Sequence, residues 1–240
     1  KFFHGFYDEY CFLPLYGFCQ ERLLVAYLRP ANRGAAYHAG AILKLLVKRL
    51  RQAWPGVRIV LRADSGFCTP KLLGWCDRNG GDYIGGLAKN KRLNTLAGTT
   101  SAKAAQRFGK TGHKARLFTG FRYATRNWQR KRRVIARIEH DAQGPNPRYV
   151  VTSLSGPGRD LYERVYCARG EMENRIKEQL QLFSDRTSCH DWWPNQFRLL
   201  LSSLAYVLME AIRRLGLRGT ALARAQVATI RLKLLKIGAV

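Results

Sequence analysis

One aspartate stands where a strand is expected to end. Residues 57–61 form a largely apolar run. Asp64 comes three residues after its end, and Ser65 and Gly66 come next. In parallel α/β sheets, side chains at the carboxyl edge of the strands emerge into the ligand crevice. A carboxylate there suits Mg²⁺, which takes oxygen ligands and keeps waters and substrate phosphate in its shell. The alternative is that Asp64 only caps the following turn, because aspartate accepts backbone N–H bonds in loops.

A second carboxylate, Glu173, lies in a predicted helix. Tyr166, Arg169 and Lys177 share its face through spacings of three and four residues. The two cations would bind phosphate beside a metal, and two metal ions held by a few carboxylates activate an attacking hydroxyl and stabilise the leaving oxygen. Asp64 and Glu173 together therefore predict phosphoryl transfer at a nucleic-acid backbone. The alternative for Glu173 is a solvated helix pair with Lys177, worth about 0.2 to 0.5 kcal/mol.

The net charge indicates a polyanionic partner. Forty-two Lys and Arg against sixteen Asp and Glu give a formal charge of +26, which favours nucleic acid. Residues 88–159 alone carry 17 basic and 2 acidic groups. The candidate phosphate-binding cations of this segment are Lys89, Lys91, Arg92, Arg130, Lys131, Arg132 and Arg133. Replacing the last four with alanine is expected to flatten the salt dependence of DNA binding.

Trp128 precedes that cationic run and has two interpretations. Its indole could stack on an unpaired base, as aromatic side chains do in proteins that bind single strands. The alternative is a tryptophan that packs on its own sheet, as its amphipathic ring allows.

Several other classes of protein are disfavoured. The six cysteines show no C-x-x-C spacing and no histidine pair at zinc-finger distance, which predicts ordinary thiols in a reducing cytoplasm. The most apolar stretch, residues 199–212, contains Ser202, Ser203 and Glu210 and is too short to span a bilayer. We therefore expect a cytoplasmic protein without membrane association.

Hydrophobic periodicity predicts alternating strands and helices in the first third of the chain. The predicted elements are strands at residues 10–18 and 22–28, a helix at 35–54, a strand at 57–61, a helix at 71–79 and a strand at 82–87. This order predicts a sheet with parallel neighbours and right-handed crossovers.

The pattern then changes. Strands predicted at residues 117–123, 134–138 and 149–154 alternate like an antiparallel meander. Helices are predicted at residues 161–183 and 195–215. We accordingly divide the chain into a first part of the core at 1–87, a basic β insertion at 88–159 and C-terminal helices at 160–240.

Four stretches of the sequence together resemble the DDE transposases of bacterial insertion sequences, most closely the 1380 group. They are FFHGFYD at 2–8 with YCFLPLY at 10–16, LRADSGF at 61–67, YCARGEMENRIKE at 166–178, and DWWPNQ at 191–196. The resemblance implies an α/β, RNase H-like mixed sheet with flanking helices and antiparallel strands inserted before the glutamate-bearing helix. It also implies metal-dependent cleavage and strand transfer at the terminal inverted repeats of an element and in target DNA.

The resemblance assigns roles residue by residue. Asp64 matches the second aspartate of the family and Glu173 its glutamate, while Tyr166 and Arg169 match the tyrosine and arginine that precede the glutamate. Two Mg²⁺ ions are implied, with Mn²⁺ as an alternative, and the complete enzyme is expected to be a homodimer that acts at the nucleoid. The wider superfamily has a lysine seven residues after the glutamate, where this chain has Leu180, and Lys177 is the nearest substitute.

The first aspartate of the family lies on a strand before residues 2–4, and this chain begins after it. Asp8 does not occupy that place and, with Glu9, is interpreted as part of a turn or a strand edge. We therefore expect a truncated copy that binds Mg²⁺ weakly and has little strand-transfer activity. The alternative function is a non-catalytic nucleic-acid-binding protein on the same scaffold, in which Asp64 and Glu173 are structural.

Overall fold

The computed structural model describes residues 1–5 and 8–236. Within them the chain forms two compact units. The flanking unit joins Lys1–Tyr37 to the residues from Gly170 onward, and the central unit comprises His38–Arg169. These boundaries differ from those of the three segments predicted from charge and periodicity, since the chain leaves the first unit after Tyr37 and returns to it at Gly170.

Strands and helices both occur along the described chain, partly in groups and partly alternating. The strands are β1 Phe2–His4, β2 Glu9–Cys19, β3 Arg22–Pro30, β4 Val60–Ala63, β5 Asp82–Leu87, β6 Ala115–Tyr123, β7 Arg132–Asp141 and β8 Gly144–Thr152. The α-helices are α1 Ala39–Ala53, α2 Pro70–Arg78, α3 Lys91–Leu96, α4 Gly98–Thr111, α5 Gly158–Asp160, α6 Gly170–Gln181, α7 Trp192–Ala211 and α8 Val227–Ile230.

The central unit is built on a mixed five-stranded sheet in the order β4-β5-β8-β7-β6. Strands β4 and β5 are parallel, and the other neighbouring pairs are antiparallel. Alternating residues of β7 enter two clusters: Val134 packs with Leu73 and Tyr83, whereas Ile135 packs with Tyr162. The sheet is therefore covered on both faces, and the mixed α/β architecture is consistent with the predicted RNase H-like fold.

The predicted antiparallel meander is confirmed, and it is part of the main sheet. Strand β8 pairs with β5 in a register that sets Ile84 opposite Thr152 and Leu87 opposite Tyr149. The three basic strands thus extend the sheet that β4 and β5 begin. Main-chain hydrogen bonds across this pair are satisfied within one sheet, which makes the segment integral to the core of the unit.

Two helices in the basic segment were not predicted from the sequence. Helices α3 and α4 bury only Leu93 and Ala104, with Ala97 at their junction, so the strong apolar stripe that identifies a helix is missing. By contrast, the predicted cap of α2 is confirmed, because the Thr69 hydroxyl accepts the Leu72 amide at 3.3 Å and Pro70 follows it.

The flanking unit contains the predicted hairpin and the long helix α7. Strands β2 and β3 pair from Phe12 opposite Pro30 to Cys19 opposite Arg22. Helix α7 satisfies the backbone of β3, since Gln196 Oε1 accepts the Leu28 amide at 2.7 Å and Trp192 Nε1 donates to the Leu28 carbonyl at 2.9 Å. These side-chain bonds fix α7 against the hairpin.

Two glycines in β5 leave room for the segment that follows β4. A Cβ atom on Gly85 would fall closer to Cys68 Sγ than van der Waals contact allows. A Cβ atom on Gly86 would lie 2.8 Å from the Tyr166 hydroxyl and 3.0 Å from the Ser65 amide nitrogen. Glycine inside a strand often marks such a close approach.

We expect Gly85→Ala to destabilise the protein by about 1 to 3 kcal/mol, because overpacking forces neighbouring atoms to move. Gly109→Ala is the matched control: Gly109 lies in α4 with no heavy atom within 4 Å of an added Cβ, so alanine should stabilise by about 0.5 to 1 kcal/mol. Urea unfolding measures both changes. Equal midpoints for the two variants would contradict the close approach at Gly85.

Candidate functional site

Asp64 lies immediately after β4 and begins a short 3₁₀ turn, Ser65–Phe67. Its Oδ1 accepts the Gly66 amide at 2.9 Å, so Asp64 does cap this turn. Capping does not exclude metal binding, because a carboxylate offers about four lone-pair sites. The side chain is half-buried, and β4 is parallel to β5, so Asp64 lies at a carboxyl edge of parallel strands as the sequence predicted.

Tyr166 lies beside the Asp64 turn. The point where Gly86 would carry a Cβ is 2.8 Å from the Tyr166 hydroxyl and 3.4 Å from the Asp64 carbonyl carbon, so the tyrosine side chain and the Asp64 backbone are neighbours of one position. The Tyr166 ring packs at 5.4 Å against Tyr162, which is buried in the sheet core. The tyrosine hydroxyl is thus held beside the backbone of the Asp64 turn.

The backbone next to the turn is also fixed. Arg62 donates to the Val165 carbonyl at 3.2 Å, which ties β4 to the segment that carries Tyr166. Cys68 lies on the other side of the turn, and burial, aided by the charge of Asp64, raises the pKa of its thiol to about 12. Cys68 is therefore a neutral packing residue and not a nucleophile. All six cysteines are free thiols.

The predicted stripe around Glu173 is divided by changes in helix type. Leu161–Tyr166 is a π-helix, Cys167–Arg169 is a 3₁₀-helix, and α6 begins at Gly170. The shared-face argument needs continuous α-helix, so it applies to Glu173 and Lys177 and not to Tyr166. Both of these α6 side chains are exposed in the flanking unit. The side chain of Arg169 lies outside the described part of the chain.

The arginines of the basic run have structural partners in the central unit. Arg132 is 3% exposed, donates to Asp77 at 2.6 Å and to the Tyr83 hydroxyl at 3.0 Å, and its guanidinium lies 5.1 Å from the Trp128 ring centroid. Arg130 Nε donates to the same Asp77 at 3.1 Å. These groups position β7 against α2.

Two further members of the run differ from each other. Arg133 donates to the carbonyl oxygens of Leu154 and Gly156, at 3.0 and 2.6 Å. Lys131, which lies between Arg130 and Arg132 in the sequence, is exposed and forms no ion pair with a described residue. The four cations of the run look alike in the sequence. Only the contacts that each side chain makes in the structure distinguish them.

Trp128 is 8% exposed and forms an edge-to-face contact with Tyr123 at 5.7 Å. A buried indole is not presented to a base, so the packing interpretation describes this tryptophan. The tryptophan and Arg132 are thus partners in the core of the unit, and we leave both out of the proposed DNA surface.

Three of the exposed candidate cations lie at the start of α3 or just before it. Lys89 and Lys91 are exposed and form no ion pair with a described residue. Arg92 is exposed as well, donates to the Ala124 carbonyl at 3.2 Å and lies 5.4 Å from the Tyr123 ring centroid. These three side chains fit the predicted phosphate-binding role better than the arginines that pair with Asp77.

The sequence patterns did not identify two important features, Asp77 and the glycines of β5. Asp77 lies in α2, where an acidic residue on an amphipathic helix gave no reason to expect two guanidinium partners. The Gly85-Gly86 pair was visible within a predicted strand and could have indicated a close approach. In the described part of the chain, no group of three or more His, Cys, Asp or Glu side chains is arranged to hold a metal ion.

The described helices include none that is long and apolar enough to cross a membrane. The sequence matches no curated protein. It does match a protein family, described as Transposase DDE domain group 1, over residues 1–240. That match covers the β4 edge with Asp64 as well as the helix with Glu173. The chain belongs to the Transposase DDE domain group 1 family.

Proposed function

We propose that this chain performs metal-dependent cleavage and strand transfer of DNA at the ends of an insertion sequence of the 1380 group. The observation that carries the proposal is the family match over the whole sequence, together with a half-buried aspartate at the carboxyl edge of parallel strands. The proposed partners are terminal inverted repeats, target DNA and a second copy of the chain.

Asp64 and Glu173 are the proposed carboxylate ligands of Mg²⁺, with Mn²⁺ as an alternative. Mg²⁺ is commonly held by one or two carboxylates together with waters and substrate phosphates, which fits a small carboxylate set. When bound, two such ions would activate the attacking hydroxyl and stabilise the leaving oxygen. Tyr166, Arg169 and Lys177 would bind phosphate.

The proposed DNA surface of the central unit consists of Lys89, Lys91, Arg92 and Lys131. Each is exposed, and each can pair with a phosphate without breaking an internal ion pair. Such contacts are independent of base sequence. They fix the position of the duplex and leave recognition of the repeats to other residues.

The second candidate function is a non-catalytic nucleic-acid-binding protein. One observation favours it: Asp64 has a structural role as a turn cap. The two functions differ in what they require of metal, because a binding module holds DNA equally with EDTA and with Mg²⁺. A cleavage assay on labelled terminal-repeat DNA, run with Mg²⁺ and with EDTA, tests which of the two functions the chain has.

We expect Asp64→Asn to weaken Mn²⁺ binding by the chain at least tenfold, since the amide removes the ligand charge but still accepts a backbone N–H. Electron paramagnetic resonance of free Mn²⁺ measures the binding. Asp141→Asn is a matched control, because Asp141 Oδ1 accepts the Gln143 amide at 3.0 Å in the same kind of turn. If both variants bind Mn²⁺ like the unaltered chain, Asp64 is a turn cap and the metal role is wrong.

We expect two adjacent substitutions to act on different properties. Lys131→Ala should lower the slope of log K against log salt for DNA binding by about 1 and leave the urea midpoint unchanged. Arg132→Ala should cost about 3 kcal/mol of stability, because Asp77 loses a buried partner. This assignment would be reversed if folded Arg132→Ala protein showed a smaller salt slope and Lys131→Ala showed no change in slope.

A further inference from the structure

The flanking unit contains a polar cleft of which the proposed function uses only Lys177. Its volume is about 620 Å³, within the range of ligand pockets. The β2–β3 turn, α6, the end of α7 with the short π-helix Ile212–Gly216 after it, and residues 223–226 form its walls. Six cationic side chains and three carboxylates line it, so the lining has a net positive charge.

A buried ion network forms one side of the cleft. Arg213 is 8% exposed and contacts both Glu178 and Glu210, and Arg175 donates to Glu178 at 3.0 Å. Burial opposes the charge of Glu178, but hydrogen bonds from Arg213 and Arg175 outweigh it and lower its pKa. The three carboxylates, with Glu21 3.6 Å from Arg175, are engaged by these two guanidinium groups.

Donor capacity nevertheless remains in this network. The Nε atoms of Arg175 and Arg213 are buried and have no hydrogen-bond partner. A buried unsatisfied donor is costly, and more so when it is charged. An anion or an anion-bound water that enters the cleft could accept from such a donor.

The remaining cations, which we call the cleft cations, are Arg22, Lys177, Arg214 and Arg224. All four are exposed, and none forms an ion pair or hydrogen bond with a described residue. They belong to four separate segments of the chain, so their meeting around one cleft is a product of folding. Four like charges around one opening repel each other unless an anion neutralises them.

The lining identifies the chemical class of that anion. Among the described lining residues there is no aromatic side chain on which a base could stack, so recognition depends on charge and hydrogen bonding. Guanidinium groups match the geometry of phosphate oxygens and bind them in bidentate fashion. A polyanion with regularly spaced phosphates satisfies several cleft cations at once.

We propose that the cleft cations bind consecutive phosphates of a DNA backbone, without reading its bases. This inference rests on the proposed function, since DNA is then the polyanion at hand. It adds a second phosphate-binding surface, in the flanking unit, to the exposed lysines of the central unit. Lys177 is shared with the proposed catalytic set, and the three arginines are particular to the cleft.

The test measures binding of the full chain to an arbitrary 30-base-pair duplex in EDTA by fluorescence anisotropy. We expect the combined Arg22→Ala, Arg214→Ala and Arg224→Ala variant to lose at least tenfold in affinity at about 100 mM salt. Its slope of log K against log salt should fall by roughly 2 to 3, as three lost phosphate contacts imply. The corresponding variant with lysine at all three positions should keep most of the slope.

The matched control removes three exposed cations of α1, through Lys44→Ala, Lys48→Ala and Arg49→Ala. It changes the net charge equally and should leave the slope nearly unchanged. Equal slopes for the cleft variant and this control would overturn the proposal, because the effect would then be one of overall charge.

A second measurement uses the unaltered chain, so it does not depend on a variant that folds. DNA should protect Arg22, Arg214 and Arg224 from phenylglyoxal, whereas Arg218, which is exposed and outside the cleft lining, should react equally with and without DNA. If DNA leaves the labelling of all four arginines unchanged, the proposal is overturned. Protection by millimolar pyrophosphate but not by DNA would also overturn it, in favour of a small phosphate ligand.

The outcome is separate from that of the proposed catalysis. Asp64→Asn should not alter DNA binding in EDTA or the protection pattern. If the cleft arginines are protected but Mn²⁺ binding is insensitive to Asp64→Asn, the cleft stands and the catalytic proposal fails. If Mn²⁺ binding depends on Asp64 and the arginines are unprotected, the cleft alone is wrong.

Discussion

The chain has forty-two basic residues and only sixteen acidic ones. In the part that the structure describes, each buried carboxylate contacts two or more cations. Asp77 holds Arg130 and Arg132, and Glu178 holds Arg175 and Arg213. Burying a guanidinium group is costly unless a partner compensates its desolvation. The scarcity of carboxylates therefore separates the basic residues into a minority that builds the core and a majority that stays at the surface.

That separation changes how the basic charge should be interpreted. The run from Arg130 to Arg133 has the densest charge in the sequence, yet three of its four members bond to the protein itself. Most of the cations proposed to bind a polyanion lie outside that run. Charge density along a chain thus locates a basic segment but not the individual phosphate ligands.

The central sheet positions the candidate carboxylate through small residues. Gly85 and Gly86 allow the segment after β4 to approach β5, and Tyr166 packs over the same strand. Asp64 is then held by the Gly66 amide at a fixed place. A metal ligand gains from such restraint, because less conformational freedom is lost when the ion binds.

Local signals in the sequence determined much of the secondary structure. The β2–β3 hairpin, the Thr69 cap, the parallel strands and the antiparallel meander follow from period, turn residues and strand order, which depend on neighbours in the chain. Asp64 at the end of β4 was predictable for the same reason. Its family role came from the resemblance, which the match over residues 1–240 supports at the level of the family.

The tertiary structure alone decided which groups meet. Pairing of β8 with β5 made the basic strands part of the main sheet, and burial removed Trp128 and Arg132 from the exposed surface. Helices α3 and α4 have too few large apolar residues to be recognised before they pack. The cleft cations come from four distant segments, and no local pattern records contacts that depend on how the whole chain folds.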